Sequence, residues 1–87
     1  MASIQKEELP EISAIARSFT PGIYRHFKGG LYEALVVARN SEAPSEEFVI
    51  YRALDGGAVW ARLITMFFDS ISTSAYTGPR FAKAEGA

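Results

Sequence analysis

The chain has 87 residues, room for one domain near the size at which a single core only just offsets chain entropy, and its 48% hydrophobic content excludes a disordered chain. No cysteine and one histidine exclude disulfides, thiolate metal sites and every multi-histidine signature, zinc enzymes included, so no metal or other cofactor is expected. The net charge of -1, with five Arg and one Lys against six Asp or Glu across residues 21–81, argues against strong nonspecific binding to nucleic acid, which needs accumulated positive charge.

The N-terminal stretch MASIQKEELPEI is acidic before any apolar segment, unlike a secretory signal, and no apolar run approaches the ~20 residues that span a bilayer. The cytoplasm is therefore the expected location. Leu9, Ile12, Ile15 and Phe19 fall on one helical stripe and Pro10 suits a first turn, so a short helix is predicted over 10–18, its stripe docked on the parent domain. Glu7, Glu8 and Glu11 toward its start and Arg17 toward its end agree with the helix dipole.

Residues 22–39, GIYRHFKGGLYEALVVAR, read as a β-hairpin turning at Gly29-Gly30. A two-residue loop sets His26 opposite Glu33 and Tyr24 opposite Leu35. Alternation then assigns Ile23, Arg25, Phe27, Tyr32, Ala34, Val36 and Ala38 to the core face. Residues 40–46, with Pro44, read as a polar loop. A strand over 48–54, a turn at Asp55-Gly56-Gly57 and a strand over 58–62 follow. This second hairpin divides into Val49, Tyr51, Ala53, Trp60 and Arg62 on one face and Phe48, Ile50, Arg52, Leu54, Val59 and Ala61 on the other, the latter expected to be core. Residues 63–68 read as a turn leading into a strand that ends near Ser72, residues 73–78 as a loop, and Pro79-Arg80-Phe81 as an edge strand that Arg80 ties to the domain. The expected architecture is mainly β: an N-terminal extension over 1–20, a small SH3-like barrel of four to six short antiparallel strands over 21–81, and a frayed tail over 82–87. The structural alternative is an α+β roll with the helix packed on a sheet.

Arg25 and Arg52 conflict with the assigned faces, because a charge facing the core is costly unless paired. Either these strands curl to carry the arginines to the barrel rim, or the faces are inverted and the site centres on Arg25, Tyr32 and Arg52. Two features carry potential chemistry. The pair His26 and Glu33 has the residue types of an acid/base dyad, but no nucleophile accompanies it, and a surface cross-strand pair worth about 0.2–1 kcal/mol is the simpler reading. The set Tyr24, His26, Arg39, Tyr51, Trp60 and Arg62 combines aromatic rings with the planar fork of Arg, suited to stacking on and gripping a planar acid, nucleotide or peptide. Seven residues thus form the candidate ligand-binding site: Tyr24, His26, Glu33, Arg39, Tyr51, Trp60 and Arg62.

The series Gly22, Tyr24-Arg25-His26-Phe27-Lys28-Gly29, Tyr32-Glu33, Ala38-Arg39, Ser41-Glu42, Val49, Tyr51-Arg52-Ala53-Leu54, Trp60, Arg62, Met66-Phe67 and Pro79-Arg80-Phe81 resembles a bacterial family of small proteins, the domain of unknown function numbered sixteen fifty-three. The resemblance spans about residues 21–81 and implies an SH3-like β-barrel with no established activity. The chain departs from the family pattern at Asn40, Leu63 and Thr65, where the family has His, Pro and an acid. No role that needs a second histidine or a fixed turn after Arg62 is implied. The reading that results is a noncatalytic module binding a small anionic ligand, nucleotide or peptide. Its alternatives are a homo-oligomerising accessory domain, joined through a β edge or the N-terminal helix, and a small hydrolase or transferase built on His26 and Glu33.

Overall fold

Three hairpins and a returning C-terminal strand build the main sheet, and a fourth hairpin stands apart from it. The computed structural model describes residues 9–84. After a single helical turn, α1 (Ala14–Arg17), come β1 (Gly22–His26), β2 (Leu31–Asn40), β3 (Ala43–Ala53) and β4 (Val59–Leu63). A second turn, α2 (Ile64–Phe67), precedes β5 (Ser70–Ser72), β6 (Thr77–Pro79) and β7 (Phe81–Lys83). The main antiparallel sheet has the order β4-β3-β2-β1-β7, and β5 and β6 form a separate two-stranded ribbon. The architecture is mainly β, as expected, but among the described residues β4 and β7 are the two edges of the sheet and do not pair, so no closed barrel is seen there.

The first hairpin departs from the predicted register. Gly29 N–H donates to His26 C=O (2.7 Å) and His26 N–H to Gly30 C=O (2.8 Å), which closes a loop of three residues, Phe27 to Gly29, with Gly29 at φ 110°. An odd loop shifts the parity of the two strands. Tyr24 therefore opposes Tyr32, and Ile23 opposes Glu33. Tyr24 turns into the core, where its hydroxyl donates to Thr20 C=O (2.7 Å) and burial pushes its phenol above the usual value, while Arg25 is exposed. A register shift between Ala34 and Val36 then moves Val37 rather than Val36 inward.

In the second hairpin the predicted division into two faces is correct and the choice of core face is inverted. Val49 and Tyr51 are buried, whereas Arg52 and Ala61 are exposed. Arg25 and Arg52 thus lie on the outer face and need no buried partner. β3 also starts earlier than expected. Asn40 Oδ1 accepts from Glu42 N–H (2.9 Å), an Asx turn that reverses the chain within two residues, and Pro44 follows a second register shift where the ladder tolerates it.

Tyr24, Ala34, Val49, Tyr51, Ile64, Phe67 and Phe81 form the core. Phe67 stacks on Phe81 (centroids 4.1 Å) and meets the edges of Tyr24 and Tyr51, so α2 closes over the sheet while β7 brings the C-terminal end back to β1. Ala82 and Lys83, expected in the tail, therefore belong to a strand. The N-terminal helix is shorter than predicted, and its stripe is only partly docked. Ala16 and Phe19 pack on the core, whereas Leu9, Ile12 and Ile15 remain about two-fifths exposed. Glu7 and Glu8 lie outside the described residues. What holds α1 is Glu47 on β3, whose carboxylate accepts from both the N–H (2.9 Å) and the hydroxyl (2.6 Å) of Ser13, the helix N-cap. As expected, Arg80 ties the last strand down, through a two-pronged ion pair with Asp69 (2.8 and 3.0 Å) and a bond to Met66 C=O.

Candidate functional site

Every strand of the main sheet sends a side chain into one pocket. His26 comes from β1, Tyr32 from β2, Tyr51 from β3, Trp60 and Arg62 from β4 and Phe81 from β7. The pocket holds about 190 Å³ and opens to solvent beside Trp60, which is 54% exposed. A dry cavity near 150 Å³ accepts a benzene ring, so this one fits a single ring or a small planar group and not a whole nucleotide.

Its walls are aromatic and mutually braced. Tyr32, Tyr51 and Phe81 meet edge to face at 5.4–5.7 Å, and the His26 ring stands on Phe81 at 4.8 Å. Arg62 supplies the charge. Its Nε donates to the Tyr51 hydroxyl (3.1 Å) and its guanidinium carbon sits 5.7 Å from the Phe81 centroid, which orients the fork and leaves both terminal nitrogens free of these contacts. No ion pair to Arg62 occurs among the described residues, since Asp69, which feels its charge, is committed to Arg80. The Arg80 bonds hold the Asp69 carboxyl below the usual range.

His26 is the second polar group. Its Nδ1 accepts from the Lys28 backbone N–H (3.1 Å), so in the neutral ring Nε2 carries the proton. Burial, and then the charges of Arg62, Arg80 and Lys28, hold the imidazole below its usual pKa. The pocket thus sets donors beside aromatic rings in the field of nearby cations, with no serine, threonine, cysteine or carboxylate among its lining residues.

Of the seven residues expected to bind ligand, His26, Tyr51, Trp60 and Arg62 meet in the pocket. Tyr24 is core. Arg39 shares the inner face but sits across from Glu47 at the far end of β2, where it donates to Pro44 C=O (3.2 Å). Glu33 is on the outer face, bound to Arg52 across β2 and β3, so the predicted dyad with His26 does not form. The site expected from inverted faces, centred on Arg25, Tyr32 and Arg52, does not form either: both arginines are exposed on the outer face, and only Tyr32 of the three lines the pocket. Phe81, read from the sequence as part of an edge strand and of the family motif, was not expected in the site, because its place there depends on pairing between β7 and β1, which lie far apart along the chain. Among the described residues no group of metal-ligating side chains is found.

Comparison with known proteins places this geometry in a family. The family described as "Protein of unknown function (DUF1653)" matches residues 22–83, which include all six pocket residues. The chain belongs to this family. The DUF1653 chain is also similar to a crystal structure of a DUF1653 protein from Bordetella bronchiseptica, at 38% identity over 79% of this chain and 91% of that one, with a TM-score of 0.71. No match was found among curated proteins.

Proposed function

We propose that this DUF1653 protein is a noncatalytic binding module that takes a small planar anion, such as an aromatic carboxylate, into the pocket of His26, Tyr32, Tyr51, Trp60, Arg62 and Phe81. The observation that supports this reading is an oriented, unpaired Arg62 at the mouth of an aromatic slot. Rings select a flat molecule, the guanidinium fork selects its acid group, and the Nε2–H of His26 offers a further donor. A cationic guest is disfavoured because Arg62 already lies over the Phe81 face. The volume narrows the ligand to one ring or the end of a longer molecule that projects into solvent. Because both edge strands, β4 and β7, line the same pocket, the sheet is read as an open variant of the SH3-like barrel, with the site in the gap that closure would fill. A cytoplasmic location fits this reading, and among the described residues no helix is long and apolar enough to cross a membrane.

Trp60 is the only tryptophan and stands at the rim, so its fluorescence reports occupancy. Benzoate-like acids are expected to give a saturable change, and their neutral amides a response at least about tenfold weaker, the loss of one charge-assisted contact. Arg62→Ala abolishes the response and Arg62→Lys weakens it, because a point charge replaces the fork. Failure of every planar acid to saturate the signal in the folded protein removes the proposal.

A further inference from the structure

A five-stranded sheet that does not close has two open edges, and here they differ. β7 ends in Lys83 and follows Pro79, residues that discourage another strand from adding. β4, with the sequence VWARL, has no Lys, no Pro and no register shift, and its Val59 is 60% exposed. Among the described residues no strand covers its outer side.

The hydrogen-bond phase of that edge can be read from the turn before it. Ala53 N–H donates to Ala58 C=O (2.8 Å), so the pairs in phase with it, Tyr51 with Trp60 and Val49 with Arg62, bond across the ladder. The backbone groups of Val59, Ala61 and Leu63 therefore point outward. Antiparallel pairing of two copies about a two-fold axis must match outward groups with outward groups, which leaves few registers. One is centred on Ala61. It sets Val59 of one copy against Leu63 of the other on the outer face, and Trp60 against Arg62 on the inner face, twice by symmetry. A shift of the axis to Arg62 would oppose like charges, and a shift to Trp60 would leave Leu63 unpaired and set Arg62 against Ala58.

We propose that β4 is a homodimerisation edge, pairing antiparallel with β4 of a second copy about Ala61 so that two five-stranded sheets become one. The proposal commits to a second copy because the strand is complementary to itself in its Arg62–Trp60 cation–π contacts, its apolar contacts and its hydrogen-bond phase. In this register Arg62 of one copy reaches the Trp60 rim of the other, so each pocket borders the interface. One five-residue strand pair is small beside the roughly 1,200 Å² of stable complexes, so the dimer is weak and its population rises with concentration.

Sedimentation velocity up to millimolar concentration tests this. The wild-type chain shifts from monomer to dimer as concentration rises. Ala61→Pro removes an outward N–H and none from the ladder with β3, so it stays folded by circular dichroism and monomeric throughout. Lys83→Pro, at the outward N–H of the other edge, leaves the dimer intact. A strictly monomeric wild-type chain, or a dimer unmoved by Ala61→Pro, overturns the proposal, and the first would leave β4 to an extended peptide from another protein. Should Ala61→Pro fail to fold, cross-linking decides. The chain has no cysteine, and facing residues of a hydrogen-bonded pair lie about 5.5 Å apart at Cα, within disulfide range. Ala61→Cys is then expected to form a disulfide-linked dimer about tenfold or more faster than Lys83→Cys. Equal rates overturn the proposal.

Discussion

Glu47 shows how one side chain joins a nearly separate segment to the sheet. It is buried, and the Ser13 hydroxyl, then the Ser13 N–H, and more weakly the charge of Arg39, hold its carboxyl below the usual range despite burial. Because Ser13 also caps α1 by accepting from Ala16 N–H (3.1 Å), loss of Glu47 frees the cap and the helix turn together. Glu47→Ala is expected to destabilise the domain by about 1.5–3 kcal/mol, the range for hydrogen bonds to a charged group, as measured by urea unfolding. Amide exchange should show the loss concentrated at Ala16 to Phe19, with the pocket unaffected. A uniform rise in exchange across all strands would mean that Glu47 instead supports the sheet itself.

At the scale of elements, turn length decides which residues meet. The Phe27 to Gly29 loop needs positive φ at Gly29, where an added Cβ would meet no atom within 4 Å, so Gly29→Ala costs backbone strain alone. It should lower stability by about 1–3 kcal/mol in urea unfolding without moving the register, visible as unchanged cross-strand contacts between Tyr24 and Tyr32. A cost near zero would show that the loop relaxes to another turn. The same loop marks where the sequence stops being legible. Gly-Gly reads as a two-residue turn, and a three-residue turn with glycine in third place has the same composition. One residue of difference separates a His26–Glu33 dyad from a Tyr24–Tyr32 core pair. The Asp55-Gly56-Gly57 turn was more forgiving, since both two-residue choices give the same parity, and Trp60 and Arg62 fell on the face of Tyr51 as expected. Which face was buried stayed hidden because each side of that hairpin carries both apolar residues and an arginine. The charges of Arg25 and Arg52 on the assigned core face were the available signal, and they were compatible with either a curl to the rim or an inversion, of which the structure shows the second. Family membership, by contrast, was legible over about residues 21–81, close to the 22–83 that the family matches, since it needs residue order and no knowledge of facing.

For the molecule as a whole, the same groups that shape the pocket set how the fold responds to acid. His26 ordinarily titrates near 6.5, and burial and the charges of Arg62, Arg80 and Lys28 lower that value in the folded state. As pH falls through about 6.5, the unfolded chain takes up a proton that the folded chain refuses, so stability declines until the lowered folded value is passed. Glu47 and Asp69 add a second decline. Their folded values lie below the ordinary 4.5 and 3.8, so their contribution is complete above that range and is lost as pH falls beneath it. Melting temperature should therefore drop in two stages, the upper one belonging to His26 alone among the shifted groups. His26→Gln removes the upper stage and keeps the lower one in scanning calorimetry between pH 8 and pH 3. Bound planar acid acts in the opposite direction on the same histidine: an anion beside the ring favours the imidazolium, so binding should take up a proton and tighten as pH falls from 7 toward 6. A wild-type profile flat between pH 7 and pH 5 would show that the histidine feels neither the burial nor the cations around it, and the electrostatic account of the pocket would fail with it.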